Sequence, residues 1–207
     1  MCKMGIDLLC HRGVVTQNSE IDLCIKRIEE RRLSSGGFSE NLHGLYRPDS
    51  TAWAVLALAM KEGRASSVDS GRAILAANQL KDGRIAFPPA QDVFWPTAIA
   101  VLAWHGAGSF DQAKNRALKF MLETTGIHWP YDPKSPAAHD PSIKGWPWVG
   151  ATHSFVDPTA MTLLALEITG QVVDNKVYED ILKVAVEDVR GWQLISASLE
   201  KHEPIPS

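Results

Sequence analysis

Three stretches of the chain open on the same dipeptide and continue in the same apolar pattern: TAWAVLAL from Thr51, TAIAVLAW from Thr97 and TAMTLLAL from Thr159. Each threonine follows a glycine at one spacing, since 51 − 37, 97 − 83 and 159 − 145 are each 14. A helix apolar on nearly every side must be buried among other helices. A unit that recurs with such a helix cannot bury its apolar surface alone and stacks on its neighbours. Successive threonines lie 46 and 62 residues apart. The second interval is longer because it holds HWPYDPKSPAAHDPSIKGWPW, with five of the chain's 12 prolines, a composition that excludes helix interior and central strand and marks a loop.

The intervening segments have a different character. Ser19 can cap a helix over 19–33 whose apolar face carries Ile21, Ile25 and Ile28, with Glu20 and Asp22 at the positive end of its dipole. Asp69 or Ser70 is placed to cap a helix over 70–80 that Asp82-Gly83 ends. Asp111 opens one over 111–123 with Ala117, Leu118, Met121 and Leu122 inward, and 176–189 reads as another amphipathic helix. No stretch sustains period-2 alternation, so the fold class is all-α. Amphipathic helices form an outer, half-solvated layer and the all-apolar helices an inner one, and two such layers close into an α/α toroid of helical hairpin repeats. The organisation is an N-terminal segment over 1–18, a repeat domain over 19–192 and a C-terminal tail over 193–207.

Composition narrows the partners. A net charge of −3 gives no basic footprint for nucleic acid. Cys2, Cys10 and Cys24 are odd in number and lack paired zinc spacing, so they read as free thiols of a cytoplasmic protein. The patch around Ile6, Leu8 and Leu9 is too short and interrupted for a signal peptide, and no transmembrane segment is expected, which leaves peripheral contact with a membrane open. No cofactor or metal is expected. His128, His139 and His153 match no ligand pattern, and phosphate-loop, nucleophile-elbow, zinc-protease and diphosphate-magnesium motifs are missing.

RAILAANQLKDGRIAF, Arg72 to Phe87, resembles the glutamine-tryptophan repeat of squalene and other terpenoid cyclases: Ala73, Gln79, Asp82 and Gly83 match, and Phe87 stands where Trp is usual. ALKFMLETTGIHW, Ala117 to Trp129, is similar to a degraded copy with Glu123 in the Gln place. The glycine-threonine unit also resembles the repeat shared with the β subunits of protein prenyltransferases. The resemblance implies an α/α toroid with an apolar central cavity for an isoprenoid. Those families use about six helix pairs; this chain offers three apolar inner helices, with a fourth conceivable at Ile6 to Cys10, so the ring is expected to be incomplete. A homo-oligomer or partner subunit would then complete it and cover the exposed inner surface. The prenyltransferase zinc set needs an Asp-x-Cys, and every Cys precedes the repeats.

In the cyclases that start by protonation, an inner helix begins D-x-D-D-T-A and its middle Asp is the acid. Anchored on Thr159-Ala160, that motif falls on Phe155, Val156, Asp157 and Pro158, so the resemblance makes Asp157 the candidate catalytic acid. Asp49 stands at the equivalent place of the first repeat and Trp95 of the second. Protonating an alkene or epoxide needs a neutral carboxylic acid in a water-poor cavity, with a polarising partner. His153 is the candidate partner. Trp53, Trp95, Trp146, Trp148 and Phe155 are candidate aromatic faces for a carbocation. Two readings stay open: a terpenoid-cyclase-like isomerase or lyase using Asp157, and a non-catalytic toroid module binding an apolar ligand or a protein partner. In the second reading Asp157 caps its helix and the tryptophans fill the core.

Overall fold

The computed structural model describes residues 18–87, 90, 92–132, 134 and 141–171. The fourth inner helix expected at Ile6 to Cys10, the helix expected over 176–189, and His139 lie outside these residues. Among the described residues there are six α-helices and no sheet. They are α1 (Asn18–Glu29), α2 (Pro48–Ala59), α3 (Ala65–Ala77), α4 (Pro96–Trp104), α5 (Asp111–Glu123) and α6 (Val156–Ile168). A single 3₁₀ turn at Gly108–Phe110 leads into α5. No helix here is long and apolar enough to cross a membrane.

The three apolar helices pack side by side, α2 against α4 and α4 against α6, while α3 packs on α2 and α4, and α5 on α4. Pro48 and Pro96 occupy the first turns of α2 and α4, where a missing N–H costs nothing and the fixed φ suits the helix. Helices α2 and α6 start three residues before Thr51 and Thr159, whereas α4 starts one residue before Thr97. Helix α3 also starts earlier than expected, at Ala65. Neither Asp69 nor Ser70 caps it: Asp69 lies in its second turn and pairs with Arg72 at 3.6 Å, and the Ser70 hydroxyl donates to the Ser67 carbonyl. The first helix stops at Glu29 rather than 33, because the chain turns there, with the Arg31 and Arg32 amides donating to Ile28 and Glu29.

What repeats in three dimensions is the work of the threonine hydroxyl. Thr51 Oγ1 accepts the Phe38 amide at 2.9 Å, Thr97 Oγ1 the Ile85 amide at 3.0 Å and Thr159 Oγ1 the Trp146 amide at 2.9 Å. Thr51 and Thr159 hydroxyls also lie 3.3 and 3.2 Å from the Phe38 and Trp146 carbonyls. All three threonines are buried, as are Phe38, Ile85 and Trp146. Each unit thus ties the first turn of an inner helix to the chain leading into it, satisfying a buried amide that water cannot reach.

The constant glycine spacing does not mark one equivalent residue. In the first unit Leu33 N–H donates to Gly37 O and Gly36 N–H to Leu33 O; in the second Leu80 N–H donates to Arg84 O and Gly83 N–H to Leu80 O. Gly36 therefore corresponds to Gly83, and both adopt left-handed φ, 94° and 96°, where a side chain is strained. Gly37 lies one residue further on, where an added Cβ would meet the Tyr46 ring at 2.5 Å. Gly145 is small for a third reason, since a Cβ would press on Thr159 Oγ1.

Gln79 bridges two helices. Its Nε2 donates to Gly83 O at 2.8 Å and to Ala113 O at 2.9 Å, and its Oε1 accepts from Arg116 Nε at 3.0 Å. It joins the end of α3 to α5. Glu123, in the degraded copy, pairs with Lys119 of its own helix at 3.8 Å. Between layers, Arg72 Nε donates to Ala103 O at 2.7 Å and Trp104 Nε1 donates to Arg72 O at 3.1 Å, so α3 and α4 are locked by two reciprocal bonds.

Candidate functional site

The inner-helix starts carry the residues singled out by sequence. Asp157 lies in the first turn of α6, is exposed, and does not cap it: the N-cap position is Phe155, which makes no side-chain capping bond. A carboxylate there still interacts favourably with the positive end of the helix. Its exposed side chain is not enclosed in the water-poor cavity that the cyclase reading calls for.

Asp49, in the equivalent turn of α2, is buried. Arg47 grips it with both ends of its fork, Nε to Oδ1 at 2.9 Å and Nη2 to Oδ2 at 2.8 Å. Arg47 also stacks over the Phe87 ring at 4.5 Å and lies 3.7 Å from Glu40. The hydrogen bond to Asp49, before any other cause, holds the guanidinium above its usual range. The bidentate pairing occupies both oxygens that a proton donor would have to turn toward substrate. Beside the pair, burial first and Asp49 second push the Tyr46 phenol well above its ordinary range, and its hydroxyl is buried without a hydrogen-bond partner among the described residues.

The aromatic candidates do not form one box. Trp146 belongs to the core: it is buried and its indole N–H donates to Met121 O of α5 at 2.8 Å. Trp95 and Trp148 are half-buried and pack edge to face, ring centres 5.4 Å apart. Phe155 lies 4.2 Å from the His153 ring, and His153 in turn lies 6.3 Å from exposed Trp129. Trp53 stands on α2, half exposed. The structure therefore brings His153 to Phe155 and Trp95 to Trp148, at the starts of α6 and α4.

A contact that motif reading missed lies in the loop before α6. His128 Nε2 is 3.0 Å from Ser154 Oγ and accepts the Gly145 amide at 3.4 Å. Burial, then the charge of Lys144, push the imidazole down. Acceptance of the Gly145 amide requires an unprotonated Nε2, the form that the downward shift favours. Gly126 is needed here because a Cβ would lie 2.7 Å from Ser154 Oγ. These bonds pin the proline-rich loop to the α6 entry. Ser154 and His128 follow no recognisable spacing, so no signal in the sequence pairs them.

No group of three or more His, Cys, Asp or Glu among the described residues could hold a metal ion. The remaining prominent surface is apolar. Leu56, Leu102 and Leu164 occupy one position in the three inner helices, five residues after each threonine, and are partly or largely exposed. Met60 and Ile168 extend this surface at the helix ends. No protein-family model matches the chain, and no curated protein matches it.

Proposed function

We propose that the chain is a non-catalytic helical-repeat module whose inner-helix face binds an apolar ligand of isoprenoid type. The observation that carries this reading is the row of exposed and half-buried apolar side chains, Leu56, Met60, Leu102, Leu164 and Ile168, at equivalent positions of three helices, with the acidic residues Asp49 and Asp157 confined to the first turns of α2 and α6. An apolar face of this kind gains by leaving water. The aromatic pairs Trp95–Trp148 and His153–Phe155 stand at the starts of the same helices and would meet one end of such a ligand. Catalysis by protonation is disfavoured on two observations: Asp157 is exposed, and both oxygens of Asp49 accept from Arg47.

The test is uptake of squalene, oxidosqualene and shorter prenyl alcohols by the full chain, followed by tryptophan quenching and by product analysis. Saturable uptake without product, weakened by Leu102→Glu, is expected. Absence of uptake of every ligand would overturn the reading. The competing reading, proton-initiated cyclisation, draws on the place of Asp157 in the first turn of an inner helix. A cyclised product that disappears in Asp157→Asn would replace binding with catalysis.

A further inference from the structure

Helix α4 has an inner neighbour on each side, whereas among the described residues α2 has one only on its following side and α6 only on its preceding side. Burial at equivalent positions reveals which side chains serve each side. One residue after the threonine, Ala52 and Ala98 are 0% and 1% exposed, but Ala160 is exposed. Two residues after it the order reverses: Ile99 is 2% exposed and Met161 partly buried, but Trp53 is 50% exposed. Six residues after it, Ala103 and Ala165 are buried and Ala57 is only partly so. The first position is therefore turned toward the following inner helix, and the second and sixth toward the preceding one. By this pattern each neighbour interface, built twice within the chain, has a large side chain, Ile99 or Met161, on one helix and a small one, Ala52 or Ala98, on the other.

The two faces left open are the two halves of that same interface. Helix α2 presents the large half, Trp53 with Met60 beside it, and α6 presents the small half, Ala160 with Leu164 beside it. We propose that a second copy of the chain docks head to tail, the Trp53 edge of one copy on the Ala160 edge of the other, continuing the inner layer across copies. This rests on the reading of the inner face as a binding surface and names the protein partner that extends it. A contact between unlike faces is heterologous and leaves a further pair of edges to close a ring or add more copies. It also buries Trp53, the large aromatic that stands out on the array's leading edge.

Sedimentation of the full chain over a range of concentrations, with Trp53→Lys and Ala160→Glu, tests this. Wild type is expected to sediment above 22.7 kDa, and each variant, folded by circular dichroism, to weaken self-association by roughly tenfold or more. An equimolar mixture of the two variants is expected to recover association, because each supplies the edge the other has lost. A wild type that stays monomeric at the highest concentration, or loss of association in only one of the variants, would overturn the proposal. So would a mixture that recovers nothing. Isoprenoid uptake measured on the dissociated variants separates the two ideas: uptake with no self-association sinks the second copy alone, and self-association without uptake sinks the ligand reading alone.

Discussion

Helices α4 and α6 share the run Pro-Thr-Ala in their first turns and sit in different surroundings. From Thr97, α4 buries seven of its eight residues, Leu102 being the partly buried one. From Thr159, α6 leaves Ala160, Leu164, Glu167 and Ile168 exposed. In both a buried threonine hydroxyl accepts the amide of a buried residue, Ile85 in one and Trp146 in the other. Among the described residues α4 packs on α2, α3, α5 and α6, whereas the main helix neighbour of α6 is α4. A repeat therefore fixes how a unit is built, and position in the array fixes which of its faces are finished.

Substitutions at the centre and the edge should separate these two contributions. The largest effect is expected for Trp104→Ala in α4, which removes a fully buried indole and its bond to Arg72 O and should cost about 3–5 kcal/mol in denaturant unfolding. Leu164→Ala on α6 should cost under about 1 kcal/mol by the same measurement, because 46% of that residue is already exposed. Equal costs would erase the distinction between centre and edge.

Thr97→Val keeps the shape and leaves the buried Ile85 amide unpaired, for an expected loss of about 1–3 kcal/mol. Thr159→Val should cost the same within error, since Trp146 N–H is held at the same distance to within 0.1 Å. A much smaller loss at Thr159 would mean that the tie depends on position in the array. Gly83→Ala should be more harmful than Gly37→Ala. Gly83 combines left-handed φ with a Cβ that would meet the backbone carbonyl of Arg116, whereas Gly37 faces the ring of Tyr46, a side chain able to move. The expected loss at Gly83 exceeds about 1 kcal/mol, read as a fall in Tm.

The smallest effect is electrostatic and belongs to the α6 entry. His128 is held below its ordinary value by burial and Lys144, so the unfolded chain binds its proton more readily than the folded one. Its contribution is complete above the unfolded value of about 6.5 and is lost as pH falls below that value toward the depressed one. Thermal melts between pH 7.5 and 5 should show stability falling with acid, with a shallower slope in His128→Gln. An unchanged slope would remove His128 from the account.

The all-α character was legible because it rests on periodicity. The three apolar helices lack a polar side, and the proline-rich loop cannot continue a helix. The partners of Gln79 were not legible, since Ala113 and Arg116 lie 34 and 37 residues away. Nor was the glycine register: Gly36 and Gly37 adjoin, and spacing alone selects the wrong one as the partner of Gly83. Helix starts were read late because Pro48 and Pro96 belong to first turns. The candidate acids were found by position, but position carries nothing about burial. Asp157 is exposed and Asp49 is held by Arg47, two residues away on the same turn. That ion pair could have been read from R-P-D, whereas the His128–Ser154 contact spans 26 residues and has no local signal.

Oxidative footprinting of the dilute chain tests the contrast between finished and unfinished faces most directly, because tryptophan and methionine occur on both. Trp53 and Met60 are expected to react rapidly, while Trp104 and Met121, 0% and 2% exposed, stay protected until the chain unfolds. Protection of Trp53 equal to that of Trp104 in dilute protein would contradict an array that is packed at α4 and open at α2.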